Sequence, residues 1–124
     1  MAQKLEWAAC ELSAYQGGFL LVRFDFVHNV LVWKDSNRWF NNFVRGLPEA
    51  DMDVFRQVLE TNLRELLKED SGDLLEGPQS KVWRLIYKFA DEPEMEHISY
   101  DGSINSWRRL ASLCSEAGGR SFVL

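Results

Sequence analysis

Cysteine, proline and histidine are scarce in this chain, at two, three and two residues of 124. Cys10 and Cys114 lie far apart, with no CxxC and no histidine at ligand spacing. That excludes a zinc ribbon, a dithiol redox motif and a disulfide-dense scaffold. Both cysteines sit among apolar neighbours and are expected to be buried thiols packing as small hydrophobes. Positive charge is also in short supply: nineteen acids against fourteen bases leave a net charge of −5. The bases are scattered, with Arg108-Arg109 the one adjacent pair, so no basic face offers itself to a phosphate backbone. No apolar run approaches the ~18–20 residues needed to span a membrane. Glu6 stands where a signal peptide would need its apolar core, so the expected compartment is cytoplasmic. GxSxG, P-loop and GxGxxG motifs are absent, and Gly17-Gly18 lacks the flanking Lys and Ser or Thr of a phosphate loop.

What is present is a pattern that occurs twice: an alternating hairpin leading into one amphipathic helix. Lys4–Ser13 reads as a first strand, with Leu5, Trp7 and Ala9 on one side. From Phe19 the period-two alternation is clean, Leu20, Val22, Phe24 and Phe26 pointing one way and Phe19, Leu21, Arg23 and Asp25 the other. His28-Asn29 predicts a tight turn, and Val30–Lys34 returns as the partner strand. Residues 38–46 fit either a short helix or a fourth strand. The strand is favoured, because a polar turn precedes it and Asn41-Asn42 is poor helix material.

Pro48 with Glu49, Asp51 and Asp53 opens a helix that runs to Glu69. Phe55, Val58, Leu59, Leu63, Leu66 and Leu67 form its apolar stripe, interrupted by Asn62. In the second unit Trp83, Leu85, Tyr87 and Phe89 share one strand face, and Val82, Arg84, Ile86 and Lys88 the other. Met95–Tyr100 returns, and a helix near Asn105–Ala117 buries Trp107, Leu110, Ala111, Cys114 and Ala117 before Gly118-Gly119 stops it. The apolar tail 120–124 is expected to pack back. One domain over residues 1–124 follows. Its class is α+β: an antiparallel sheet of five to six strands with two helices on one face, in the order β-β-β-(β)-α-β-β-α. The uncovered sheet face, with Arg23, Asp25, Arg84 and Lys88 among Phe19, Leu21, Val82 and Ile86, is either solvated or a docking surface.

The residues offer no catalytic constellation. His97 follows Asp91, Glu92, Glu94 and Glu96, yet Glu94 and Glu96 share one side of an extended chain and His97 faces away. A solvated hairpin turn is the better reading than a metal centre. Trp39, Phe43 and Arg45 form an aromatic-plus-arginine group of the kind that dominates protein interfaces, although aromatics in short domains mostly fill cores. Arg108 and Arg109 oppose the dipole in the first turn of the last helix. They either meet an anion or pair with Asp101 or the acids of the 92–96 turn.

Trp83-Arg-Leu-Ile-Tyr-Lys-Phe-Ala-Asp, followed by Ile98-Ser-Tyr-Asp-Gly-Ser-Ile-Asn105, resembles a WxLxxxFAD strand, turn and final helix recurrent in small uncharacterised bacterial proteins. Leu12-Ser13 and Gly17-Gly18 are similar to that group as well. Here Glu92-Pro93 replaces the group's glycine after Asp91, and no proline follows Asn105. The resemblance implies the order of elements and no activity.

The expected function is a non-enzymatic protein-binding module of an inhibitor, immunity or anti-defence kind, acting on a basic partner and using no cofactor. Trp39, Phe43 and Arg45 would anchor it, with Asp70, Asp73 and Glu76 or the turn acids steering. The alternative is a metabolite-binding protein with a pocket between sheet and helices, lined by Tyr87, Tyr100 and Arg108. A homodimer through the outer sheet face is a third possibility.

Overall fold

Alternation of apolar and polar residues becomes an antiparallel sheet wherever one face of a strand can be buried. The computed structural model describes residues 4–14, 17–38, 42–69, 81–99 and 105–122. Its strands are β1 (Leu5–Ala14), β2 (Gly18–Asp25), β3 (Val30–Asp35), β4 (Phe43–Gly46), β5 (Lys81–Phe89) and β6 (Met95–Ser99). Helix α1 (Glu49–Glu69) lies between β4 and β5, and α2 (Asn105–Gly118) follows β6. The six strands form one sheet in the order β4-β3-β2-β1-β5-β6, every pairing antiparallel. The α+β class and the element order expected from the sequence are those observed, and the fourth strand is present as Phe43–Gly46.

Both helices cover the same side. Phe55 of α1 meets Phe24 at 6.0 Å between ring centres, and Trp107 of α2 meets Trp83 at 5.6 Å. Beneath them Ala8, Cys10, Leu12, Leu20, Val22, Phe24, Leu31, Trp33 and Leu85 are buried. Each fully buried leucine in such a core contributes roughly 1.5–3 kcal/mol. Acids in the first turn of α1, Glu49 and Asp51, complement its dipole. Gly119, with φ of 69°, ends α2 and donates its N–H to the Ser115 carbonyl. The Ser115 hydroxyl donates to Ala111 O and accepts from Phe122 N, which ties the tail down. Phe122 is thereby buried between Trp33 and Trp83.

One expectation is corrected on β1. Leu5, Trp7 and Ala9 do not share a face: the register shifts between Leu5 and Trp7, a β-bulge. Leu5 joins the core cluster with Ala8, Cys10 and Leu12, while Trp7 and Ala9 turn to the open face. Because the side-chain period is two, one extra residue moves everything after it to the opposite side.

The β2–β3 turn is held by Asp25. Its carboxylate accepts the N–H groups of Val27 and His28 and bonds His28 Nδ1 at 3.0 Å, while Asn29 takes φ of 57°. Burial opposes ionisation here, but the hydrogen bonds and charge of His28 with the Val27 N–H outweigh it, holding the carboxyl below its ordinary 3.8. The folded value lies below the unfolded one, so this contribution is complete above 3.8 and is lost as pH falls through the folded value. Asp25→Ala should therefore cost about 1 kcal/mol at neutral pH. In urea melts the gap to wild type should close on acidification; a gap unchanged in acid would remove the carboxylate from the account.

Candidate functional site

Two helices cannot cover both sides of a six-stranded sheet, and the strand register lays out what the open side carries. Across its middle run Val44, Val32, Arg23, Ala9, Ile86 and Glu96 in successive strands. The row on one side reads Lys34, Leu21, Glu11, Arg84 and Ile98. The row on the other reads Val30, Asp25, Trp7 and Lys88. Phe19, Val44 and Ile98 are 39, 72 and 44% exposed, and Trp7, Leu21, Val30, Val32, Val82 and Ile86 are half-buried. Arg23 lies over the Trp7 ring at 4.5 Å, Arg84 pairs with Glu96, and Lys88 pairs with Glu6 at the bulge. Four bases thus stand among Glu6, Glu11, Asp25 and Glu96, so the face is electrically balanced. The acidic surplus of five lies elsewhere, part of it on the exposed β5–β6 turn with Asp91, Glu92 and Glu94.

The sequence-derived anchors divide. Phe43 is half-buried on the helix side of the sheet, stacked on Trp33 at 6.0 Å with a 13° interplanar angle. The Arg45 guanidinium lies 4.4 Å from the Phe43 ring centre and that of Arg120 4.8 Å, so two cations cap one aromatic stack at the β4 edge. The structure therefore brings Phe43 and Arg45 together, and adds Arg120, for which the sequence pattern carries no signal. Trp39, Asp70, Asp73, Glu76 and Tyr100 lie outside the described residues.

Tyr87 and Arg108 stand apart. Tyr87 is buried in the sheet core, where burial and then the charge of Glu92 push its phenol up. Arg108 is exposed on the outward side of α2. It lines a groove of about 540 Å³ between the helices with Val58, Asn62, Arg109, Ser112, Leu113 and Glu116. Arg109 pairs with Glu65 of α1, and Asp101, one of the partners the sequence offered, lies outside the described residues. Asn62 is 3% exposed, the one buried polar side chain among the described residues, and its Nδ2 has no hydrogen-bond partner. An unsatisfied buried donor costs about 1–3 kcal/mol. The break in the α1 stripe was the sequence signal for it.

His97 faces the helices and stacks on Trp107 at 6.2 Å, while Glu96 faces the opposite way to Arg84. Among the described residues no three His, Cys, Asp or Glu side chains converge to hold a metal. No helix among them is long and apolar enough to cross a membrane. No protein-family model matches the chain, and no curated protein matches it.

Proposed function

We propose that the chain is a protein-binding module that docks a partner of net positive charge on the open face of its sheet. The observation that carries this is the uncovered face itself, where Phe19, Val32, Val44, Ile86 and Ile98 remain solvent-accessible while a full core lies on the other side. Six strands about 4.8 Å apart, averaging about seven residues at about 3.3 Å each, give roughly 650 Å² before side-chain relief. A specific interface should bury at least about 1,000 Å² in total, about 500 Å² from each partner, so the face is of adequate size.

Charge selects the occupant. A second copy would bring the same −5 and meet long-range repulsion, whereas a basic protein is attracted by it. At contact the balanced face exposes no uncompensated charge to be buried, and the acids of the β5–β6 turn stand at its margin to steer approach. Inhibition or neutralisation of such a partner is the role this arrangement serves.

The test uses capture from the native host together with a face variant, Val32→Glu with Ile86→Glu, whose fold is checked by circular dichroism. Wild type should be monomeric by light scattering and retain one basic protein. The association rate should fall as salt rises, and the variant should lose at least about tenfold in affinity, about 1.4 kcal/mol. Equal retention by the variant, an acidic partner, or a dimer that the variant abolishes would each overturn the reading.

A further inference from the structure

The two outer edges of the sheet differ in charge. β4 forms one of them and carries Arg45, with Arg120 beside it over the Phe43 ring. β6 forms the other, and no further strand lies beyond it among the described residues. Pairing with β5 uses about half of the β6 backbone groups, because successive N–H and C=O groups of a strand point to alternate sides. The other half faces outward. Met95 and Ile98 are 46 and 44% exposed, and Glu94 and Glu96 are exposed with them, so this edge is open to solvent. We propose that the outer edge of β6 pairs with an extended basic segment of the partner, added to the sheet as a further antiparallel strand. The inference rests on the reading that the partner is basic, and it names how that partner is held.

Charge complementarity selects the segment. Glu94 directly precedes β6 and makes no hydrogen bond or ion pair with a described residue. Both hydrogen bonds from Arg84 fall on Glu96 Oε2, which leaves Oε1 to accept from a further donor. Segments outside the described residues bring Asp70, Asp73, Glu76 and Asp101 and no lysine or arginine, so they do not offset these acids. A lysine or arginine opposite Glu96 would share that carboxylate with Arg84, and an apolar side chain would cover Ile98. Two copies of the chain joined at β6 would instead set acid against acid, which is destabilising. A basic segment at β4 would meet Arg45 and Arg120. The acids therefore guard the edge against self-association and leave it open to a strand of opposite charge. An added strand also continues the open face past Ile98, so edge and face engage one partner together.

Hydrogen exchange of the full ¹⁵N-labelled chain, with and without a capped hexapeptide alternating lysine and valine, tests this. Alternate amides within Met95–Ser99 should gain protection, and those of Phe43–Gly46 should not. A peptide alternating glutamate and valine should leave both edges unchanged. Methylating every backbone amide of the basic peptide keeps its charge but removes its donors, and should weaken binding about tenfold or more. Glu94→Lys should weaken it about fivefold or more. An absence of protection at β6, equal affinity for the methylated peptide, or protection at β4 would each overturn the proposal. So would a dimer of the chain that protects β6 without peptide. The outcome is separable from docking on the face. Capture of a basic host protein that Val32→Glu with Ile86→Glu disrupts would stand even with no β6 amide protected, whereas β6 protection by the peptide would stand with no basic protein captured.

Discussion

Gly118→Ala should destabilise the protein by about 2 kcal/mol, although the same change in an ordinary helix stabilises it by up to about 1 kcal/mol. The reason is space. Gly118 sits in the last turn of α2 directly against the six-membered ring of Trp33, and an added Cβ would fall within contact range of Cε3 and Cζ3. That ring cannot retreat: Trp33 is 1% exposed, with Phe43 stacked on one side and Phe122 edge-on at 6.2 Å. Overpacking a closed site costs about 3 kcal/mol, which exceeds the helix-propensity gain. For a domain of this length Tm should fall by about 8 °C. Trp33→Leu alone should cost about 3 kcal/mol through the cavity it leaves. Combined with Gly118→Ala it should cost less than the two changes summed, by about 1–2 kcal/mol, because the methyl then has room. Thermal melts of the three variants check this, and a rise in Tm for Gly118→Ala would mean that the Trp33 contact does not constrain the helix.

That contact shows what a sequence pattern can and cannot disclose. Gly118-Gly119 is visible in the sequence as a helix stop, and Gly119 with its positive φ serves as one. The role of Gly118 depends on a strand eighty-five residues away and has no local signature. The same division runs through the fold. Long periodic segments declare themselves: β2, β5 and both helices lie where alternation or the 3.6 period places them, because each buries one face and no other register would. The bulge at Leu5–Trp7 is invisible, since an inserted residue changes the phase of a pattern without changing its composition. Met52 is buried at the start of α1 and Val58, on the expected stripe, is 39% exposed. The helix is rotated relative to its apolar centre because α2 packs beside it and draws Val58 to the groove.

The candidate site was legible to the same extent. The residues of the open face were identifiable from β2 and β5, whose alternation is strict. The contributions of Val32, Val44 and Ile98 required the register that places their strands in the same plane. Arg45 and Phe43 were identifiable as neighbours two positions apart on a strand, but Arg120 reaches them only because Ser115 folds the tail back. Asn62 announces itself as an interruption in an apolar stripe. What it faces, a groove shared with Arg108, is a property of how two helices cross.

The two cysteines should prove almost unreactive in the native protein, labelling with an alkylating reagent about 10⁴ times more slowly than in urea. Cys10 is central to β1 and Cys114 to α2, and both are buried and free. Burial, with the neighbouring Cys10 adding to it, pushes the Cys114 thiol up, so its thiolate, the reactive form, is suppressed at neutral pH. Reagent cannot reach either sulfur until α2 leaves the sheet. That opening exposes Leu110, Leu113 and Trp107 and is close to global unfolding. A stability of at least about 5.5 kcal/mol gives a closed fraction that slows labelling about 10⁴-fold. The rate should rise with urea in step with the unfolding transition, and both thiols should label together. Cys10→Ala and Cys114→Ala should each leave the remaining thiol protected to the extent of the variant's own stability. Rapid labelling of one sulfur in native buffer would show that α2 opens locally, and that the helix layer is a mobile cover and not part of one cooperative core.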